Sequence, residues 1–114
     1  MGFVSESLDL IRLNRFMTAA KLIEQHLGDS GISPASKIGL MSWIGECYVK
    51  MEDRGRAAAW FEMAGRAALS CKELDEQERQ KRALQEFEQA LAYFEAVSDL
   101  EGMKRVAAIK YGMR

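Results

Sequence analysis

Residues 38–71 carry the pattern from which the fold is predicted, and they read IGLMSWIGECYVKMEDRGRAAAWFEMAGRAALSC. In the first half, apolar side chains recur every three or four residues, which is the period of one helix face. They are Ile38, Met41, Ile44, Tyr48 and Met51. Asp53-Arg54-Gly55 interrupts this pattern, and a second stripe follows at Ala57, Phe61, Ala64 and Ala68. The stretch therefore predicts two helices joined by a short turn.

The rest of the chain predicts further helices separated by short breaks. Apolar periodicity predicts helices over residues 3–13, 16–27 and 100–113, and a charged helix from about residue 72 to 97. Ser33-Pro34 is predicted to begin the third helix, with the serine as N-cap and the proline as first helical residue. The break near Ser70 contains neither glycine nor proline. One continuous helix over residues 57–97, whose apolar faces would need a second chain, is therefore an alternative.

The breaks allow the helix pairs to be superimposed on one another. Asn14-Arg15-Phe16 corresponds to Glu52-Asp53-Arg54, and Ser98-Asp99-Leu100 provides a third and weaker copy. In this alignment Ala19, Ala57 and Met103 are equivalent, at intervals of 38 and 46 residues. Helix pairs that recur at such intervals are typical of a solenoid, because one pair cannot bury its apolar face alone.

The middle copy resembles the tetratricopeptide repeat (TPR) family. The resemblance rests on Ile44-Gly45, Tyr48, Ala57, Phe61 and Ala64, whereas Met41 replaces the family's tryptophan and its terminal proline is missing near Leu69. It implies an all-α fold in which antiparallel helix pairs stack as a short right-handed solenoid. That solenoid would be one domain over residues 1–114, with repeats at approximately 1–33, 34–71 and 72–114. A plain bundle of five or six helices without solenoid geometry is the alternative.

Charge and composition argue against several classes of protein. Sixteen Lys and Arg residues balance 17 Asp and Glu residues to a net charge of −1, without the basic excess of many nucleic-acid-binding proteins. No apolar run approaches the roughly 18 residues of a membrane span, so no membrane partner is predicted. Two cysteines are too few for a disulfide scaffold, which favours a cytoplasmic location.

No catalytic residue, metal site or cofactor is predicted, so the chain is expected not to be an enzyme. His26 is the only histidine, and its equivalence to Ala64 predicts a partly buried, hydrogen-bonded side chain. Cys47 is predicted to be a core residue, and Cys71 to be the more exposed and redox-sensitive cysteine. The carboxylate of Glu86 is assigned to a solvated helix face.

In the repeat fold that the resemblance implies, the first helix of each pair lines a concave groove. Its predicted residues are Leu8, Ile11, Ser42, Glu46, Val49, Glu88, Ala92 and Glu95. The groove would change from apolar at its N-terminal end to acidic at its C-terminal end, which suits an amphipathic helix or extended peptide with basic residues. The alternative is that the glutamates only solvate their helices. The basic residues with which some TPR proteins capture a C-terminal carboxylate are missing here, so that activity is not expected.

The predicted function is a non-catalytic protein–protein interaction module of the scaffold, adaptor or co-chaperone type. The alternatives are an RNA-binding helical repeat protein and a structural domain that forms homo-oligomers. Both ends of the chain carry more apolar residues than a lone monomer would hide. A homodimer through the C-terminal pair is therefore predicted, with Val106, Ile109 and Met113 at the interface, and a partner protein or a longer repeat array is the alternative.

Overall fold

The structure is a computed structural model that describes residues 2–113. Over that range it contains helices and no strand, so the predicted all-α class is confirmed. The six helices are α1 (Gly2–Arg12), α2 (Phe16–His26), α3 (Pro34–Lys50), α4 (Arg54–Leu69), α5 (Glu76–Ala96) and α6 (Leu100–Tyr111). Their bounds agree with the predicted helices to within a few residues.

Side-chain caps set the helix starts in the middle of the chain. Ser33 caps α3 as predicted, because its hydroxyl accepts a hydrogen bond of 3.2 Å from the backbone N–H of Ser36. Asp75 caps α5, since its carboxylate accepts from the backbone N–H of Glu78 at 2.8 Å and the Glu78 carboxylate accepts from that of Asp75 at 3.2 Å. This reciprocal capping box follows the end of α4 at Leu69. One continuous helix over residues 57–97 is therefore wrong.

The turns within the three helix pairs have the same backbone conformation. Asn14, Glu52 and Ser98 adopt left-handed φ angles of 60°, 61° and 58°. In each turn the backbone N–H of the following residue donates to the carbonyl oxygen five residues earlier, which is the Schellman arrangement at a helix C-terminus. The three bonds run from Arg15 to Leu10 at 2.8 Å, from Asp53 to Tyr48 at 2.9 Å and from Asp99 to Phe94 at 2.9 Å. The three turns occupy the positions aligned from the sequence, so the intervals of 38 and 46 residues also hold in the backbone.

Each helix packs mainly against its neighbours in the sequence, from α1 on α2 to α5 on α6. The first helices of the pairs also approach one another: side chains of α1 and α3 line a common cleft, and Ser42 of α3 donates to Glu86 of α5. The second helices do so as well, because Arg105 of α6 binds Glu62 of α4. The helices from α3 to α6 therefore alternate between two layers, with α3 and α5 in one and α4 and α6 in the other, and α1 lies beside α3.

Close helix crossings occur where a glycine faces an aromatic ring. A Cβ atom on Gly45 would lie 3.0 Å from the Phe61 ring, which places α3 directly against α4 as predicted. At Gly65 a Cβ would lie 2.5 Å from Phe87 of α5, and at Gly102 it would lie 2.6 Å from Phe94. These last two crossings were not predicted, and they show that glycines also set the spacing between α4, α5 and α6.

The structure corrects the predicted interface at the C-terminus. Val106 is fully buried in the core, whereas Ile109 and Met113 are half-buried and pack against it. Val106 is therefore unavailable to a second chain, and its assignment to an exposed apolar face is wrong. Cys71 is also buried, with 2% exposure equal to that of Cys47, so it is not the more exposed cysteine.

Candidate functional site

The first helices of the pairs form a surface, here called the first-helix surface, that contains an apolar cleft between α1 and α3. This cleft has a volume of about 280 Å³. It is lined by Leu8, Ile11, Phe16, Trp43, Glu46, Cys47 and Lys50. The structure thus brings together three residues of the predicted groove: Leu8, Ile11 and Glu46. Glu46 and Lys50 are exposed at its rim, so its charged groups lie beside an apolar floor.

A second cleft, of about 530 Å³, also has Trp43 in its lining. It is lined by Phe3, Val4, Gly31, Ile32, Ser33, Ser36, Gly39, Leu40 and Trp43. The half-buried indole of Trp43 is common to both cavities, which are called the Trp43 clefts below. Trp43 was missed in the sequence, although its position three residues before Glu46 places it on the same helix face.

The other part of the first-helix surface, on α5, is polar. An open cleft of about 690 Å³ is lined by Arg82, Gln85, Glu86, Glu88, Gln89, Ala92 and Tyr93. Glu88 and Ala92 of the predicted groove lie here, whereas exposed Glu95 lies outside this lining and Val49 is half-buried on α3. The predicted groove is therefore divided between an apolar part on α1 and α3 and a polar part on α5.

Hydrogen bonds to Glu86 join α3 to α5 between these two parts. The Ser42 hydroxyl donates to one carboxylate oxygen at 2.6 Å, and Arg82 Nε donates to the other at 2.9 Å. Glu86 is 4% exposed, so its assignment to a solvated face is wrong. Arg82 balances this charge, and Lys110 lies 3.9 Å from Glu88. The C-terminal part of the surface is therefore less acidic than the sequence suggested.

A second buried carboxylate, Glu62, holds the opposite layer together. Arg105 donates to both of its oxygens, at 2.7 and 2.9 Å, and Arg66 donates to one oxygen at 3.0 and 3.2 Å. The hydrogen bonds from Arg105 are the largest cause of a lowered pKa at Glu62; burial opposes them, and the hydrogen bonds of Arg66 and the charges of both arginines lower the pKa further. The spacing of four residues between Glu62 and Arg66 on α4 could be read from the sequence. Arg105 of α6, which is 43 residues away, could not be identified as a partner in this way.

His26 has structural partners, and the thiol of Cys47 is buried. His26 stacks on Phe3 with ring centroids 4.3 Å apart, and its Nδ1 donates to Asp29 at 2.7 Å, which confirms a partly buried, hydrogen-bonded histidine. Burial raises the pKa of the Cys47 thiol and the charge of Glu46 raises it further, so the reactive thiolate is disfavoured. Among residues 2–113 no three His, Cys, Asp or Glu side chains are grouped so as to hold a metal ion.

Comparisons with protein families, with curated proteins and with solved structures found no match to this chain. Within residues 2–113, no helix combines the length and the apolar character needed to cross a membrane.

Proposed function

We propose that this chain is a non-catalytic protein-interaction module of the TPR type, in which three antiparallel helix pairs stack as a short right-handed solenoid. Its first-helix surface binds an amphipathic helix or extended peptide of a partner protein. The common turn conformation at Asn14, Glu52 and Ser98 supports a repeat, because the same Schellman arrangement ends the first helix of each pair.

The observation that carries the binding proposal is the pair of Trp43 clefts. Their lining is mostly apolar side chains, and both open on the layer formed by α1 and α3. Open apolar concavities on a water-exposed surface are typical of binding sites, since their lining gains free energy when a ligand removes it from water. An apolar side chain of the partner is the complementary group for each cleft.

Charge at the rim indicates the second feature of the partner. Exposed Glu46 lies beside the cleft that Leu8 and Ile11 line, where it can pair with a basic side chain next to the partner's apolar anchor. The expected ligand therefore combines apolar residues at helical or alternating spacing with at least one Lys or Arg. Lys50 lies one helix turn after Glu46 on the same rim, and it can pair with an acidic side chain of the partner.

The proposal is tested by selecting phage-displayed peptides against the full chain and measuring their affinities for two charge variants. Leu8→Glu places a carboxylate on the apolar floor and is expected to weaken binding about tenfold or more, because burial of an unpaired charge is costly. Met63→Glu is the matched control, since Met63 is 40% exposed on α4 in the opposite layer. It adds the same charge and is expected to leave the affinity unchanged.

Circular dichroism and thermal melting of both variants establish that the helices are retained. Failure to enrich any peptide, or equal affinity of the enriched peptides for Leu8→Glu and the unmodified chain, would contradict the proposal. Salt-dependent binding of single-stranded RNA that Leu8→Glu does not alter would instead favour the RNA-binding alternative.

A further inference from the structure

Glycines in the helix interiors serve close packing at two of three positions. Gly39, Gly45 and Gly65 each lie at least four residues from either end of their helix, where glycine costs stability because it loses more chain entropy than other residues. At Gly45 and Gly65 a Cβ atom would lie 3.0 and 2.5 Å from the rings of Phe61 and Phe87, which use the space of the missing side chain. At Gly39 a Cβ atom would meet no neighbouring group within 4 Å. No side chain of residues 2–113 therefore uses the space beside Gly39.

This space belongs to the larger of the two Trp43 clefts. Gly39 lines the cleft of about 530 Å³, which has nearly twice the volume of the cleft of about 280 Å³ that Leu8 lines. Trp43 follows Gly39 by one helix turn, so both residues lie on the same face of α3. Phe3 of α1 is also part of the lining, and its ring is held by stacking on His26. A flat side chain that enters this cleft therefore meets the backbone of α3 and two aromatic rings.

The polar groups at the start of α3 are already hydrogen-bonded within the chain. The Ser33 hydroxyl donates to the Ser36 hydroxyl at 3.0 Å and accepts from the backbone N–H of Ser36 at 3.2 Å. The backbone N–H of Ala35 donates to the carboxylate of Glu73 at 2.9 Å. None of the described residues that line this cleft is charged, whereas Glu46 belongs to the lining of the other cleft. An uncharged apolar side chain is therefore the complementary group for the larger cleft.

We propose that the larger Trp43 cleft binds an aromatic side chain of the partner, which packs on Gly39 and against the indole of Trp43. This inference rests on the proposed function and identifies the residue type that the partner presents to this cleft. The fold itself uses the same contact twice, because Gly45 and Gly65 each receive a phenylalanine ring from the following helix. Aromatic rings also pack favourably against other rings, and they are enriched among the residues that contribute most to binding at protein interfaces. Gly39 then determines specificity, since any side chain at this position would occupy the space of the ring.

The test uses the full chain and the phage-selected peptides whose affinity is lowered by Leu8→Glu. Isothermal titration calorimetry measures their affinities for the unmodified chain, for Gly39→Leu and for Gly39→Ala. Gly39→Leu is expected to weaken binding about tenfold or more, because its side chain fills the cleft, and Gly39→Ala is expected to weaken it several-fold. Replacement of the peptide's aromatic residue by alanine is expected to weaken binding to the unmodified chain to a similar extent. It is expected to weaken binding to Gly39→Leu much less, because the contact is already lost there.

Gly55→Leu is the matched control for the added side chain. Gly55 lies on α4 in the opposite layer, and a Cβ atom there also meets no neighbouring group within 4 Å. The control is expected to leave the peptide affinities unchanged. Both Gly39 variants are expected to melt at or above the temperature of the unmodified chain, because alanine and leucine have better helix propensities than glycine. A loss of affinity without a loss of stability separates a role in binding from a role in folding.

The outcomes for this inference and for the proposed function differ. Selected peptides without an aromatic residue, or aromatic peptides that bind both Gly39 variants as tightly as the unmodified chain, overturn the inference. The proposed function stands in that case, because these peptides still lose affinity for Leu8→Glu. Failure to select any peptide overturns both. If Gly39→Leu loses its helices, the same comparison is decided by Gly39→Ala.

Discussion

Three buried glycines determine how closely neighbouring helices approach. Gly45 faces Phe61, Gly65 faces Phe87, and Gly102 faces Phe94. The first contact could be predicted because Gly45 precedes a short turn and pairs with an aromatic residue one helix later. The other two contacts could not be predicted. Gly65 and Phe87 lie on either side of the break at Ser70, and Gly102 lies near the start of α6, where several alignments of α6 against α5 are compatible with the sequence.

Gly65→Ala is expected to lower the free energy of unfolding by about 1–3 kcal/mol, because its Cβ would lie 2.5 Å from the fully buried Phe87 ring. Gly39→Ala is the matched control, since a Cβ there meets no atom within 4 Å. The control is expected to gain up to about 1 kcal/mol from the better helix propensity of alanine. Urea denaturation followed by circular dichroism measures both, and equal stabilisation by the two changes would show that α4 and α5 do not cross at Gly65.

Helix ends could be predicted where a cap is local in the sequence. Ser33-Pro34 identified the start of α3, whereas the capping box of Asp75 and Glu78 was missed, and α5 was predicted to start near residue 72 rather than at Glu76. The left-handed turns at Glu52 and Ser98 carry no glycine, so their conformation could be inferred only from their alignment with Asn14. Hydrogen bonds of the helix C-termini, rather than residue type, maintain that conformation.

The contact between α4 and α6 is expected to be sensitive to pH through Glu62. Its pKa is lower in the folded chain than in the unfolded chain, so the stabilisation is present above the ordinary glutamate value of about 4.3. It is lost as the pH falls through the lowered pKa, because protonation removes the acceptor of Arg105 and Arg66.

Glu62→Gln is therefore expected to lower the free energy of unfolding by about 1–2 kcal/mol at neutral pH and by progressively less at acidic pH. Thermal melting across this pH range measures the difference between the variant and the unmodified chain. Glu24→Gln, at an exposed position on α2, is the control and is expected to change stability little. A Glu62→Gln deficit that is independent of pH would contradict an ionised Glu62 in the folded chain.

At the scale of the whole molecule, the sequence predicted the helix pairs better than it predicted the surface that they form. Leu8, Ile11 and Glu46 were placed on one surface from helical spacing together with the resemblance to the TPR family, and they do line one cleft. Trp43 lies on the same helix face as Glu46, but only the packing of two helix pairs shows that it lines both clefts. The bonds of Ser42 and Arg82 to Glu86 depend on the same long-range geometry, which neutralises part of the predicted acidic groove.

The central claim is that the partner occupies the Trp43 clefts of the first-helix surface. The two tryptophans provide internal probes, because Trp43 lines both clefts and Trp60 lies on α4 in the opposite layer. The most direct measurement is a titration of the ¹⁵N-labelled full chain with a selected peptide, followed by the two indole N–H signals. The account predicts that the Trp43 signal shifts in a saturable manner while the Trp60 signal stays in place. A saturable shift of Trp60 with Trp43 unchanged would contradict it.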